Sequence, residues 1–344
     1  MNVQRRSRWV AGGLIVVMTV CVGVLLRASG LDVASALEAL ARGSFGSWYA
    51  IGSGTLVRAT PLILTGLAVA VAFRAGVFNI GAEGQFLIGA AGGTAIALMF
   101  SSLPSIVLVP GILIAGAVVG SLWAWIAAVL RARFHVLEVI STIMLNFIAA
   151  YVVSYLVRGP MQEPTHIYPQ TASISAAARL PRFGVATRLH LGFAIGVAAC
   201  FVGWWAIRYT AGGFRLRAAG ANPDAARSAG QIDVGRVATR AFLMSGALAG
   251  IAGAIEVCGV TYALYENISP GYGYTAIAVA LLARLNAGAV VGTGILFGAL
   301  EAGATSMQRD AGVPSVVVSV VEAGIILALV VADRARIRPD AMTG

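Results

Sequence analysis

A succession of apolar stretches, each about long enough to cross a bilayer and most ending near an arginine, constrains this chain more than any other feature. A helix needs about 20 apolar residues to span the hydrocarbon core. On that yardstick spans are predicted near 9–27, 52–73, 79–100, 104–130, 136–157, 189–207, 239–260, 273–286, 289–308 and 314–332. The run lengths suit helices, whose backbone groups are satisfied internally where no water can reach them. The expectation is an all-α polytopic membrane protein: one transmembrane domain over 1–344 with about ten helices. Only 11% of the 344 residues are charged, against about 25% in an ordinary soluble domain.

The formal net charge of +10 raises nucleic acid as a partner, but the placement of the charge excludes it. All 24 basic residues are arginine, and they sit at the ends of apolar segments rather than on an aromatic-interleaved face. Arg5, Arg6, Arg8, Arg74, Arg131, Arg133, Arg284, Arg334, Arg336, Arg338 and six arginines of the stretch 208–240 fall on the side of the N-terminus. The other side has Arg27, Arg42, Arg158, Arg179, Arg182, Arg188 and Arg309. The positive-inside rule therefore predicts cytoplasmic termini and a cytoplasmic 208–240 loop. Residues 9–26 after Arg5-Arg6-Ser7-Arg8 are too long for a signal-peptide core and lack a clear cleavage site, so they read as a first span.

The 208–240 stretch is the longest charged interruption. Within it Asn222 is a good N-cap, Pro223 suits the first helical position, and Asp224 complements the positive helix end. Gly230 is expected as the left-handed stop. So short a helix needs a surface to lie on. It reads either as a docking helix for a cytoplasmic partner or as an ordinary polar connection.

Two spans begin oddly. One opens with Asn79, Glu83 and Gln85 among Gly76, Gly81 and Gly84; the other follows Pro270, Gly271 and Gly273. They head two blocks, 79–157 and 273–332, of opposite predicted orientation. Broken half-helices at matching positions of inverted blocks point to a transport path near the bilayer midplane. Glu83 is an expensive carboxylate for a membrane segment. It either lines the path or pins its helix start to a neighbour. Asn79 and Gln85 join it as candidates, as does Asn146, for which interhelical hydrogen bonding competes. Tyr262, Tyr265, Tyr272 and Tyr274 anchor at an interface or stack on a flat ring.

The sequence has no phosphate loop, metalloprotease motif or nucleophile elbow. Cys21, Cys200 and Cys258 lack metal-like spacing, and His135, His166 and His190 lie far apart. No metal, cofactor or catalytic set is expected on this chain. An ion-coupled transporter using Glu83 or Glu256 remains an alternative, as does an intramembrane enzyme, for which no residue set is visible.

Several stretches carry a resemblance over roughly 55–332. ATPLILTGLAVAVAFRAGVFNIGAEGQFLIGA (59–90), EVISTIMLNFIAAYVVSYLVRGP (138–160), FRLRAAGANPDAARSAG (214–230), SPGYGYTAIAVALLAR (269–284) and AGVPSVVVSVVEAGIIL (311–327) resemble permease subunits of ABC importers. The branch is that of nucleoside, simple-sugar and branched-chain amino-acid permeases, and FNIGAEGQ is closest to its nucleoside type. The chain departs from the pattern after the eighth span, with Ala283 for a glycine and then Arg284-Leu285-Asn286-Ala287-Gly288. The resemblance implies uptake of nucleosides, with simple sugars as the alternative solute. It implies a second permease subunit, two cytoplasmic ATPases that hold the ATP and magnesium, and an external binding (lipo)protein. It also implies a multi-pass place in a bacterial inner membrane. Arg217, Gly220, Asn222, Pro223, Asp224, Ala226, Arg227 and Gly230 would couple to the ATPases. Asn79, Glu83, Gln85, Asn146, Tyr272 and Tyr274 would lie along the pathway.

Overall fold

In the computed structural model, residues 32–184, 187–228 and 230–314 are described, with Val24, Arg27, Val320, Ala323 and Gly324. Apart from such isolated positions, the spans expected at 9–27 and 314–332 lie outside the described residues. Those residues form helices α1 (Val33–Phe45), α2 (Val57–Arg74), α3 (Ala82–Met99), α4 (Ser105–Phe134), α5 (Glu138–Arg158), α6 (Leu191–Tyr209), α7 (Ala211–Ala221), α8 (Pro223–Ser228), α9 (Val234–Glu256), α10 (Tyr272–Leu282) and α11 (Ala289–Asp310). Wider π-helical turns precede α2 at Ala50–Leu56 and extend α9 over Val257–Thr261. Contacts divide the chain into two compact units, 1–58 with 296–344 and 59–295, with boundaries inside α2 and α11.

In the first unit α1 starts where the Asp32 carboxylate accepts from the amides of Ala34 and Ser35 at 3.4 and 3.0 Å. Ala36 and Ala39 pack against Ala304, Met307 and Val313. Polar side chains buried here bond carbonyls: Ser44 Oγ donates to Ala299 O at 2.6 Å, and Thr55 Oγ1 to Ser44 O at 2.7 Å.

The second unit is built on close backbone packing. Lipid supplies no hydrophobic drive between helices, so association depends on van der Waals fit and small residues. Gly116 and Gly120 of α4 face Gly246 and Gly250 of α9. A Cβ on Gly250 would lie 2.1 Å from Gly116 O, and one on Gly120 would lie 2.3 Å from Gly246 O. On the α3 side, a Cβ on Gly253 would lie 2.0 Å from Phe86 O.

Among the described residues, six helical stretches are long and apolar enough to cross a membrane, with α10 as a shorter apolar helix. The stretch 50–74 is 83% buried over its most apolar window and 234–261 is 72% buried, against 22% for α4 and 17% for α6. The first two are therefore interior, while α4 and α6 leave much of their apolar surface uncovered. α3 falls outside the six because Glu83 and Gln85 occupy its first turn, yet it is buried along most of its length.

The structure moves three expected boundaries. The span expected from 79 starts as helix at Ala82, because Gly76 is left-handed at φ 76° and the chain stays non-helical to Gly81. The span expected over 273–286 stops at Leu282: Arg284 and Leu285 adopt φ 52° and 56°, and Leu285 N–H returns to Ala280 O at 2.9 Å. The span expected from 239 begins at Val234, capped by Asp233, whose carboxylate accepts from Arg236 N–H at 2.9 Å. The 208–240 loop thus holds two helices, α7 and α8, where one was expected.

Candidate functional site

After Arg74 the chain turns back as a non-helical strand of residues from Ala75 to Gly81, and α3 begins beside the middle of α5. The Asn146 carbonyl accepts from Gly84 N–H at 2.8 Å, and its amide donates to Ile80 O at 3.0 Å. One side chain of α5 thus satisfies both the last extended carbonyl and an otherwise orphaned amide of the α3 first turn. Its amide also reaches Tyr274 Oη at 3.3 Å. This is the interhelical bonding weighed for Asn146, directed at a helix start.

α10 begins at the same place. Ser269 Oγ caps it, accepting from the amides of Gly271 and Tyr272 at 3.1 and 3.0 Å. The Glu83 carboxyl oxygen accepts from Gly273 N–H at 2.7 Å and from the Ser269 hydroxyl. Two helix starts therefore meet at one buried carboxyl group, where a negative charge would face the positive ends of both dipoles. Gly273 permits the approach, since a Cβ there would lie 2.2 Å from Glu83 N. Both sequence readings of Glu83 touch this geometry: it pins two helix starts together, and it lines a cavity.

That cavity, of about 360 Å³, is bounded by Glu83, Leu87, Asn146, Phe147, Ala150, Tyr151, Val153, Ser154, Glu266, Asn267, Ser269 and Tyr274. Phe147, Tyr151 and Tyr274 supply aromatic surface; Glu83, Asn146, Ser154 and Glu266 supply hydrogen-bonding groups. Glu266 is held by Arg158 through Nε at 2.6 Å and Nη2 at 2.7 Å, and by the Ser154 hydroxyl. These contacts lower its pKa to about 2, the Arg158 hydrogen bond contributing most and the Ser154 bond next.

The six residues expected along the pathway separate into three groups. Glu83, Asn146 and Tyr274 come together at the cavity. Asn79 and Gln85 exchange amide hydrogen bonds at 3.0 and 3.1 Å, with Asn79 also donating to Ser245 Oγ at 2.9 Å. They are buried and brace the extended segment against α9. Tyr272 packs edge-on against Phe86, with centroids 5.8 Å apart. Tyr262 is engaged by Arg182, which donates to its hydroxyl at 2.7 Å, and by Arg179, 4.6 Å from its ring centre. Sequence reasoning missed Tyr151, Ser154 and Glu266. The spacing Asn146, Ala150, Ser154 marks one face of a helix and was the available signal.

In the 208–240 loop, Asn222 caps α8 as expected, its side-chain oxygen accepting from the amides of Asp224 and Ala225 at 3.1 and 3.0 Å. Arg227 pairs with Asp224 at 3.0 Å, and both are exposed. Ala226 turns inward against Ala219, Ile232 and Val234. The left-handed residue after α8 is Gln231, at φ 48°, and not Gly230. Ile232 N–H bonds Ala226 O at 3.0 Å, so the reversal comes one residue later than expected. Gly220 sets α7 onto the end of α2, since a Cβ there would lie 2.1 Å from Arg74 O. Arg217 donates to Ile207 O. Among the described residues no group of three His, Cys, Asp or Glu side chains could hold a metal ion.

Broken helix starts braced inside a bundle of membrane-length helices, with a capped helix in the connecting loop, define a permease-like membrane protein. Residues 52–331 match the family described as branched-chain amino acid transport system / permease component, and the chain belongs to that family. It is similar to the guanosine ABC transporter permease protein NupP of Bacillus subtilis, 39% identical over 330 residues and 94% of each chain. It is also similar to the glucose ABC transporter permease protein TsgB13 of Haloferax volcanii, 40% identical over 288 residues, 81% of this chain and 75% of the relative. The nucleoside ABC transporter permease protein NupB of Lactococcus lactis is 33% identical over 317 residues, 90% of this chain and 86% of the relative. Bacillus subtilis and Lactococcus lactis each also have a more distant match at 26% identity, NupQ and NupC. No solved structure matches the chain.

Proposed function

We propose that this chain is one membrane-spanning subunit of an ATP-driven importer for nucleosides. The observation that carries the reading is the junction of α3 and α10 at Glu83, beside a cavity with aromatic and hydrogen-bonding walls. A nucleoside offers a flat ring for Phe147, Tyr151 or Tyr274 and sugar hydroxyls for Asn146, Ser154 and Glu266. The relatives named for guanosine and nucleosides, similar over most of the chain, support the same solute class. The relative named for glucose keeps a simple sugar as the second reading.

In this proposal ten spans cross a bacterial inner membrane with both termini in the cytoplasm. The blocks 79–157 and 273–332 are inverted copies whose half-helices meet at the midplane. ATPase subunits, carrying ATP and magnesium, dock on the segment from the end of α7 through α8, formed by Arg217, Gly220, Asn222, Pro223, Asp224, Ala226, Arg227 and Gly230. An external binding protein delivers the solute. The pairs NupP with NupQ and NupB with NupC support a second, different permease subunit beside this one. ATP and the loaded binding protein must stabilise different states of the pathway, since a ligand shifts an equilibrium only by its differential affinity.

The test is co-purification of candidate ATPases with the wild-type chain and with a chain whose Asn222–Gly230 segment is replaced by glycine and serine. Uptake of labelled guanosine and glucose by the reconstituted complex follows. Retention of an ATPase only by the intact loop, with guanosine uptake that glucose does not inhibit, supports the proposal. Uptake by the lone chain without any ATPase refutes it in favour of ion-coupled transport.

A further inference from the structure

A second cavity, of about 440 Å³, lies where the docking loop leaves α6. Arg74 from the end of α2, Arg208 from the last turn of α6 and Arg217 from α7 line it, with Trp204, Tyr209 and Asn286. No carboxylate is among the lining residues. The positive-inside rule accounts for arginines near helix ends one at a time. It does not account for three from separate elements around one hollow, where a bound anion would relieve their mutual repulsion.

The donors are available. A guanidinium carries five N–H groups. Arg74 gives one to Leu285 O at 3.1 Å and Arg217 gives one to Ile207 O, bonds that tie both side chains to the cavity wall while leaving donors for a ligand. Asn286 accepts from Gly288 N–H through its carbonyl at 3.0 Å, which leaves its amide N–H groups. Arg208 is exposed and stands 5.8 Å from the centre of the Tyr209 ring, and Trp204 meets that ring at 81°. Planar guanidinium forks match phosphate oxygens in geometry as well as charge.

We propose that this cavity binds a phosphate ester, with Arg74, Arg208 and Arg217 on the phosphate and Trp204 and Tyr209 flanking the group it carries. A phosphate ester can arrive from solution as a nucleoside monophosphate, or from the bilayer as an anionic lipid headgroup. Either would tie the ends of α2 and α6 to α7, the arm on which α8 is mounted. Occupancy therefore stiffens the docking loop and adjusts coupling to the ATPases in the importer proposed above.

The test uses the full-length chain in neutral detergent. One arm titrates a fluorescent guanosine 5′-monophosphate analogue and competes it with inorganic phosphate. The other measures, by native mass spectrometry, retention of phosphatidylglycerol against phosphatidylcholine. Arg74→Ala and Arg208→Ala each weaken binding about tenfold, the usual scale for one charge-assisted bond, and Arg208→Lys lies between. Arg215→Ala, on α7 but outside the lining, binds as wild type. Among the described residues Arg208 is exposed and its side chain meets the Tyr209 ring alone, so its loss leaves the fold intact. Phosphate-displaceable nucleotide binding assigns a soluble ligand, and selective phosphatidylglycerol retention assigns a headgroup. The proposal is overturned if neither probe binds, or if Arg215→Ala weakens binding as much as Arg208→Ala.

Discussion

Gly273→Ala tests the junction on which the functional proposal stands. A Cβ at 273 would lie 2.2 Å from Glu83 N, 2.5 Å from Glu83 Cα and 2.7 Å from Ala82 C. All three atoms belong to the first turn of α3, and none can rotate aside. Restoring ordinary contact parts the helix starts by roughly 1 Å. The Gly273 N–H to Glu83 bond, now 2.7 Å, then stretches beyond hydrogen-bond range. Overpacking costs about 1–3 kcal/mol, and a buried donor left unpaired costs about 1–3 kcal/mol more. The expected loss is therefore roughly 2–6 kcal/mol in reversible unfolding by sodium dodecyl sulfate, followed by circular dichroism. Guanosine uptake by the assembled complex should fall with it. Gly111→Ala, whose Cβ meets nothing within 4 Å, is the control, and it should be neutral or stabilising by up to about 1 kcal/mol. Because the clash is with backbone, Glu83→Ala cannot rescue Gly273→Ala. Wild-type stability of Gly273→Ala, or rescue by Glu83→Ala, would refute the reasoning.

Asn222→Ala removes the α8 cap, at about 1 kcal/mol of local stability, and should reduce ATPase retention several-fold, whereas Asn222→Asp keeps both; full retention by the alanine variant counts against docking on α8. Glu266 is held ionised by Arg158 and Ser154 down to about pH 2. Its contribution is present above its ordinary carboxylate pKa and lost only as pH falls toward 2, so a double-mutant cycle of Arg158→Ala and Glu266→Gln should give the same coupling at pH 7.5 and pH 5.5; a coupling that vanishes by pH 5.5 contradicts the pair.

What was legible in the sequence was set by local rules. Among the described residues, apolar run length placed the membrane-length helices to within about five residues. The cap at Asn222 was readable because a side chain bonding an amide two or three residues on needs no distant partner. The stop after α8 was misplaced from Gly230 to Gln231 because Ile232 N–H reaches back to Ala226 O, and that choice is made by packing on α7 and α9. Glu83 was visible as an anomaly, since a carboxyl group in an apolar stretch is expensive anywhere. Its partner was not visible. One of the two donors that satisfy it is the backbone N–H of Gly273, 190 residues along the chain, and a backbone amide leaves no mark in a sequence. What the sequence does carry is the glycine that lets the amide come close. Asn79 and Gln85 show the converse limit: as polar residues in a membrane segment they read as pathway candidates, but each is answered by the other, and Asn79 by Ser245 as well. Burial makes a polar side chain conspicuous in a sequence; only the geometry of its partners distinguishes a group that holds helices together from one that also faces a cavity. By that measure Glu83 and Asn146 do both, which is why the proposed importer places at the junction of α3 and α10 the movement that would change the shape offered to a solute.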